Sequence, residues 1–239
     1  MVKTKEEVSQ EELDGLYRRA GIRLVLMIAI VLGVALSISG RRDWWFAWVY
    51  ILLSLVNTVF YMGVMYKNHP ELLHERLNAT KHAQGWDKLL VGGFSLFGIL
   101  GVWIVASLDV RFGWSIPLGV VGQSVFVFLS MLGLLLANWA VGTNRFFSSM
   151  VRLQDDRGHK VVDNGPYAIV RHPGYAGSLL YYLTLPVGLG AYWALVPALI
   201  AILLFAIRTW KEDSFLQKEL EGYKDYTQRV RFRLIPGVW

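Results

Sequence analysis

None of the 26 residues from Ile116 to Val141 is charged, and together they read IPLGVVGQSVFVFLSMLGLLLANWAV. Because about 20 apolar residues in a helix cross the ~30 Å hydrocarbon core of a bilayer, this stretch predicts a membrane-spanning helix. Residues 174–207 form a 34-residue apolar block, too long for one span and sufficient for two, with a break expected between Gly190 and Trp193. Three further apolar runs precede Ile116, at residues 22–39, 44–65 and 89–108. We therefore predict an all-α integral membrane protein with about six transmembrane helices.

The composition of the 239 residues fits this class, since 54% are hydrophobic, 18% are charged and the mean hydropathy is +0.40. The absence of cysteine excludes disulfides, thiolate metal sites and a cysteine nucleophile. With six spans, 21 of the 24 Lys and Arg residues fall on one side, which the positive-inside rule makes cytoplasmic. We therefore expect a multi-pass protein with both termini and the active site at the cytoplasmic face. This distribution accounts for the net charge of +6, so no nucleic-acid partner is expected, and the expected partners are membrane lipids and a membrane-delivered substrate.

The chain is predicted to form one integrated domain with two parts. Residues 1–141 hold the first four spans and are expected to shape the substrate side, whereas residues 142–239 hold a polar loop, a helical hairpin and an amphipathic cytoplasmic helix. Gly222 is expected to split that C-terminal helix in two. Polar side chains inside the spans are expected to join helices by hydrogen bonds: Asn57, Gln123 and Asn138. Asp109 and Arg111, at the end of the third span, are expected to pair.

Two polar clusters flank the predicted hairpin, residues 158–177 before it and residues 208–213 after it. A tight hairpin returns its exit to its entrance, so Arg171 and His172 should face Arg208 and Glu212. Such a site suits S-adenosylmethionine, because arginine pairs with a carboxylate, an acid takes an ammonium, and aromatic faces sit against a sulfonium. The same set would suit other zwitterions, so residue chemistry alone leaves the ligand open.

The same clusters resemble a known family in the order and spacing of their residues. The segments are His159-Lys160-Val161-Val162, Gly165-x-Tyr167, Arg171-His172-Pro173-x-Tyr175, Arg208-x-x-x-Glu212-Asp213, and a tail with Tyr223 and Tyr226 that ends in residues 233–237, RLIPG. Over residues 142–239 this pattern resembles the isoprenylcysteine carboxyl methyltransferase family and its relatives, the phospholipid N-methyltransferases.

The resemblance implies S-adenosylmethionine as the cofactor, in a cytosol-facing pocket, and a lipophilic or membrane-delivered acceptor that enters from the bilayer. It places Arg208 at the acceptor, and we expect Arg171 and Glu212 to act beside it at the reacting end. Two positions depart from the family pattern: Asp213 replaces a second glutamate, and Gly174 is variable in the family. The implied cofactor contacts are Gln154, whose spacing to His159 differs from the family's, and His159, Lys160, Val161, Val162, Tyr167, His172, Pro173, Gly174, Tyr175 and Glu212.

Several alternatives remain open from the sequence. An isoprenylcysteine carboxylate, a phospholipid amine and a thiol are all possible acceptors; an amine or thiol would first lose a proton, to Glu212 or Asp213. A sterol-type reductase with a nicotinamide cofactor shares part of this architecture, and a transporter or scaffold would need no cofactor. A metal site in the second loop is disfavoured, although it holds His69, His74, Glu75 and His82. The oligomeric state is not predicted.

Overall fold

A computed structural model describes residues 10–69, 71–72, 75–76 and 84–239, and all regular structure within these ranges is helical. The all-α prediction is therefore confirmed. A π-helical segment, Ser95–Gly101, joins the third and fourth helices into one continuous rod. The helices are α1 (Gln10–Ser39), α2 (Trp45–Asn68), α3 (Gly85–Phe94), α4 (Val102–Phe112), α5 (Gly119–Thr143), α6 (Pro173–Gly188), α7 (Leu195–Glu219) and α8 (Tyr223–Arg229).

Among the described residues, five helical segments are long and apolar enough to cross a membrane: Tyr17–Ser39, Trp45–Asn68, Gly85–Phe112, Gly119–Thr143 and Tyr192–Glu219. The prediction of about six spans differs from this number because α6 has only 16 residues, or about 24 Å of helix. Nevertheless α6 runs antiparallel along α5. Gly177 lies against Gly133 near the middle, and the side-chain amide of Gln123 donates to the carbonyl of Gly188 (3.1 Å) at the far end. The predicted hairpin break is confirmed, since Gly190 adopts a φ of +73° between α6 and α7.

The α5–α6 contact depends on glycine. A Cβ at Gly133 would approach the carbonyl oxygen of Gly177 to 2.6 Å, and a Cβ at Gly177 would collide with the backbone of Gly133. Close approach of backbones through small residues is the usual way in which membrane helices associate. The predicted interhelical hydrogen bonds are also confirmed, because Asn138 donates to Asn57 (2.7 Å) in addition to the bond made by Gln123.

The turns between helices gather at one end of the bundle. There the indole of Trp44 donates to the carbonyl of Leu189 (3.0 Å). The expected pairing of Asp109 with Arg111 is wrong. Asp109 is buried and accepts from Ser115 and from the backbone N–H of Trp193, whereas Arg111 donates to the carbonyl of Ile38. A buried carboxylate needs several donors at once, and two turns supply them here.

The opposite end of the bundle carries the long loop 144–172 and the C-terminal segment. Helix α7 continues past Ile207 without a break to Glu219, and Gly222, with a φ of +77°, starts α8 as predicted. Tyr223 and Tyr226 are buried and pack with Leu220 and Val230 against the loop. The second polar cluster therefore lies on a helix whose inner face is covered by the loop.

Candidate cofactor and active site

An open cavity of about 760 Å³ lies at this loop end, between residues 144–162, the start of α6, the end of α7 and α8. Every residue that the sequence analysis named for the cofactor or the reaction lines it, with the exceptions of Pro173 and Asp213. Pro173 is instead the first residue of α6, where its missing N–H costs nothing.

Asp213 organises the wall of this cavity and is completely buried. Arg171 donates to both of its carboxylate oxygens (2.7 and 3.1 Å), and Arg233 donates through Nε (2.9 Å). The side-chain amide of Gln217 (2.8 Å), the hydroxyl of Tyr223 (3.1 Å) and the imidazole of His172 (3.4 Å) complete the cluster. Because two guanidinium groups occupy its oxygens, Asp213 is unsuited to take a proton from an acceptor.

Arg171 connects this cluster to the C-terminal segment. Its Nη1 donates to the carbonyl oxygens of Val230 and Arg231, both at 2.8 Å. Four of the five N–H groups of Arg171 are therefore bound by protein acceptors. This geometry favours a positioning role over the direct role at the reacting end that the sequence suggested, and the latter stays a prediction.

Glu212 lies one residue earlier on α7 and faces the cavity. The hydroxyl of Tyr175 donates to its Oε2 (2.5 Å), and the Tyr175 ring stacks on that of His172 with centroids 5.7 Å apart and planes 1° apart. No described residue donates to Oε1 of Glu212. The cavity therefore presents a carboxylate oxygen beside two aromatic faces, as the sequence predicted for an ammonium and a sulfonium.

Arg208 lies on the same helix, one turn before Glu212, and is held by Asp87 of α3. Nε and Nη2 donate to the two oxygens of Asp87 (2.7 and 3.1 Å), and Nη2 also donates to the carbonyl of Ser149 (2.9 Å). Asp87 in turn accepts from the backbone N–H of Val151 (2.6 Å). No described residue accepts from Nη1 of Arg208. The guanidinium thus keeps one nitrogen for a ligand.

The loop before the cavity is held by buried polar contacts. The Gln154 side chain donates to the carbonyl of Phe146 (2.7 Å), and the His159 ring packs on that of Phe146 with centroids 4.6 Å apart. Burial lowers the pKa of His159 to about 4, so its imidazole is neutral at pH 7. Burial also raises the pKa of Tyr167, whose hydroxyl has no hydrogen-bond partner among the described residues.

A short stretch of this loop has backbone groups to spare. Within the described part of the chain, the N–H and C=O groups of Lys160, Val161 and Val162 make no backbone hydrogen bond, although all three residues line the cavity. Buried or ligand-facing backbone groups are normally paired. This stretch therefore offers donors and acceptors to the edge of a planar ring.

Sequence reasoning missed the role of two acids that support the site, Asp87 and Glu75. Asp87 stands at the start of an apolar run, where a carboxylate needs a buried partner, and that position is the signal that could have drawn attention to it. Glu75 accepts from Nε and Nη2 of Arg152 (2.8 and 2.6 Å). Burial raises the pKa of Glu75, but the hydrogen bonds and the charge of Arg152 outweigh it and hold that pKa below its usual range. His74 and His82, considered with Glu75 for a metal, lie outside the described residues.

The fold and the cavity together define a class: a helical protein of the membrane type, with an open cavity lined by polar and aromatic residues at one end of its helical bundle. Residues 125–218 match the sequence model of the isoprenylcysteine carboxyl methyltransferase (ICMT) family. The matched region contains most of the cavity, and the predicted resemblance to this family is thereby confirmed.

Curated relatives match part of the chain as well. Protein-S-isoprenylcysteine O-methyltransferase B of Arabidopsis thaliana is 34% identical over 104 residues, which are 42% of this chain and 52% of that protein. Protein-S-isoprenylcysteine O-methyltransferase of Schizosaccharomyces pombe is 27% identical over 151 residues, 59% of this chain and 59% of that protein. The chain thus spans about half to three fifths of the length of these relatives.

Proposed function

We propose that this protein transfers a methyl group from S-adenosylmethionine to a carboxylate on a lipophilic, isoprenylcysteine-like acceptor. The observation that carries the proposal is the junction at Arg208. This residue lines the polar cavity and also a second, apolar groove between α3 and α7, which has an empty volume of about 560 Å³. The Arg208 guanidinium therefore borders both a cavity that can hold a polar cofactor and a groove that can hold an apolar chain.

The residues of the cavity fit the cofactor's groups. The free Oε1 of Glu212 suits the ammonium, and the backbone of residues 160–162 suits the hydrogen-bonding edge of adenine. The stacked rings of His172 and Tyr175 provide π-faces for a sulfonium. Gly174 lets the Phe147 ring of the cavity lining pack against the start of α6, because a Cβ there would meet that ring at 2.6 Å. These features are matched to a compact zwitterion with one aromatic base.

The groove beside Arg208 fits the acceptor. Its walls are mainly apolar: Leu90, Val91, Phe94, Leu204 and Phe205. A carboxylate at the end of an apolar chain in this groove would lie beside Nη1 of Arg208. The Asp87 and Ser149 contacts hold the other guanidinium nitrogens in place. The guanidinium held in this way can fix the position of the carboxylate that receives the methyl group, and such positioning is what the alignment of two reactants requires.

When bound, S-adenosylmethionine supplies an activated methyl group: a C–O bond forms, the C–S bond breaks, and the electron pair goes to sulfur. Arg208 orients the acceptor carboxylate, which is nucleophilic as an anion, so no protein group needs to remove a proton. Tyr175 holds Glu212 through its hydroxyl and lies under the Arg208 guanidinium at 5.2 Å, linking the two halves of the site. Closing the cavity against water is the remaining contribution of the loop.

The same proposal includes an orientation of the protein in the membrane, with the cavity at the cytoplasmic face. The start of α1, the C-terminal segment and the cavity share one end of the bundle: Tyr17 on α1 packs with Met65 and Phe147 there. That end holds the large basic surplus of the sequence, which favours the cytoplasmic face. Cysteines introduced into this cysteine-free chain and probed with a membrane-impermeant thiol reagent test this orientation directly.

The decisive experiment is calorimetric binding of S-adenosylmethionine and S-adenosylhomocysteine to detergent-purified protein, followed by methyl transfer to an S-farnesyl N-acetylcysteine. We expect micromolar binding, about tenfold or greater loss in Glu212→Ala and His172→Ala, and a methyl ester product. Glu221→Gln, at an exposed position on the same tail, is the matched control and should bind normally. Binding of a nicotinamide dinucleotide in place of S-adenosylmethionine by folded protein would overturn the proposal in favour of a reductase.

A further inference from the structure

A second cavity lies within the membrane-spanning part of the bundle. It is partly open, has an empty volume of about 570 Å³ and is bordered by α1, α2, the α3–α4 rod and α6. Its lining is almost entirely apolar and includes Val31, Ile99, Trp103, Tyr182 and Leu185. At this depth in a bilayer, a hydrocarbon chain is the matching occupant.

An aromatic cluster separates this intramembrane cavity from the groove beside Arg208. Phe94 lines the groove, and its ring touches Phe205 and Tyr182 with centroids 4.3 and 5.1 Å apart. Tyr182 lines the intramembrane cavity on the other side. Tyr182 lies two turns beyond Tyr175 on the same face of α6, so one helix face runs from the polar cavity, past the cluster, to the deep cavity.

Phe94 is the part of the cluster that can open with the least disturbance. It belongs to α3 immediately before the π-helical segment, and its ring lies over Gly98, where a Cβ would come within 2.8 Å of it. Phe205 and Tyr175 are in contact with each other (5.4 Å) and support the reacting end. A change of the Phe94 side chain would therefore join the groove to the deep cavity and leave Arg208, Glu212 and the cofactor cavity untouched.

We propose that Phe94 sets the length of isoprenoid tail that the enzyme accepts. The tail lies in the groove, Phe94 and Tyr182 end the site, and the intramembrane cavity takes the end of a longer chain only when Phe94 is displaced. This inference rests on the proposed function, since it assigns the tail of the same acceptor.

The test compares S-geranyl, S-farnesyl and S-geranylgeranyl N-acetylcysteine as acceptors for wild-type, Phe94→Ala and Phe94→Leu protein. We expect Phe94→Ala to raise the ratio of kcat/KM for geranylgeranyl over geranyl by about tenfold or more, since a single methylene in a hydrophobic pocket already gives discrimination of about tenfold. Phe94→Leu should give a smaller increase. The double variant Phe94→Ala/Val31→Phe should return the ratio to its wild-type value, because the new phenylalanine side chain fills the intramembrane cavity.

Phe112→Ala is the matched control, because Phe112 is exposed at the other end of the same rod. Calorimetric binding of S-adenosylhomocysteine reports folding and the cofactor site independently. An unchanged length ratio in a Phe94→Ala protein that binds S-adenosylhomocysteine normally overturns the inference. Loss of a co-purified phospholipid in Val31→Phe, with no change in the ratio for any variant, would assign the cavity to a membrane lipid and also overturn it. Absence of cofactor binding in wild-type protein would instead refute the proposed function.

Discussion

Asp213 should be the most sensitive single position at the loop end, and Asp213→Asn tests this. The substitution keeps the shape of the side chain but removes the charge that holds Arg171 and Arg233, and it converts one acceptor oxygen into a donor. Asp213 is completely buried and the Arg171 side chain is 4% exposed, so water cannot replace the lost partner. Removing one partner of a buried ion pair costs about 3–5 kcal/mol.

That cost is large compared with the stability of a typical domain, about 5–15 kcal/mol. For a chain of this size it corresponds to a fall in melting temperature of about 10 °C, at roughly 2–4 °C for each kcal/mol. The assay is thermal unfolding in detergent, with and without S-adenosylhomocysteine. We also expect weaker S-adenosylhomocysteine binding, because the Asp213 cluster fixes His172 in the cavity wall.

Asp225→Asn, at an exposed site in the first turn of α8, is the matched control and should leave the melting temperature nearly unchanged. Asp213→Glu keeps the charge and lengthens the side chain, so it should recover part of the lost stability. If Asp213→Asn melts within 2 °C of the wild type, a shift below about 1 kcal/mol, Arg171 and Arg233 do not depend on this charge and the account of the cluster is wrong.

Three further predictions concern other parts of the molecule. Asp87→Asn should raise the KM for a carboxylate acceptor about tenfold or more, since Arg208 loses its charged partner, and an unchanged KM would contradict the role of this pair. Burial lowers the pKa of His159 from 6.5 to about 4, so the unfolded chain binds a proton at this residue more readily than the folded protein does. The stability of the protein should therefore fall as the pH drops from about 6.5 towards 4. Melting temperatures measured over this pH range should fall less in His159→Phe. Gly177→Ala should destabilise by about 1–3 kcal/mol through overpacking between α5 and α6, whereas Gly63→Ala, in open space, should not; equal melting temperatures for the two variants would refute the close contact.

The parts of the fold that sequence predicted are those set by local composition. Apolar runs located the long spans, and Gly190 and Gly222 marked two chain breaks, because apolar length and a left-handed backbone are properties of short stretches. The end of α7 was less predictable. The sequence predicted an amphipathic helix after the last span, but residues 208–219 continue α7 without a break and the loop covers their inner face.

The members of the site were predictable for a different reason. Their clustering around the hairpin and the family resemblance identified the cavity residues as one group. Neither feature identified the side chains with which these residues form ion pairs and hydrogen bonds. Asp87 lies 121 residues before Arg208, outside the region that matches the family, and nothing local links the two. The distinction between Asp213 and Glu212 also needed the structure: adjacent acids on one helix point about 100° apart, one into a cluster of arginines and the other into the cavity.

The arginines at the loop end differ in how many of their N–H groups are bound by protein acceptors, and this difference explains why Arg208 is the anion-binding candidate. Arg152 directs all its N–H groups to Glu75, Asp156 and a backbone carbonyl, and Arg171 directs four of its five to Asp213 and the C-terminal segment. Arg208 is held just as firmly by Asp87, yet its Nη1 has no acceptor among the described residues. A guanidinium fixed on one edge and free on the other can align an acceptor carboxylate without being displaced from its own anchor. We therefore expect the buried Asp87–Arg208 pair to orient the acceptor. Loss of the pair should reduce methylation of anionic acceptors more than it reduces binding of the cofactor.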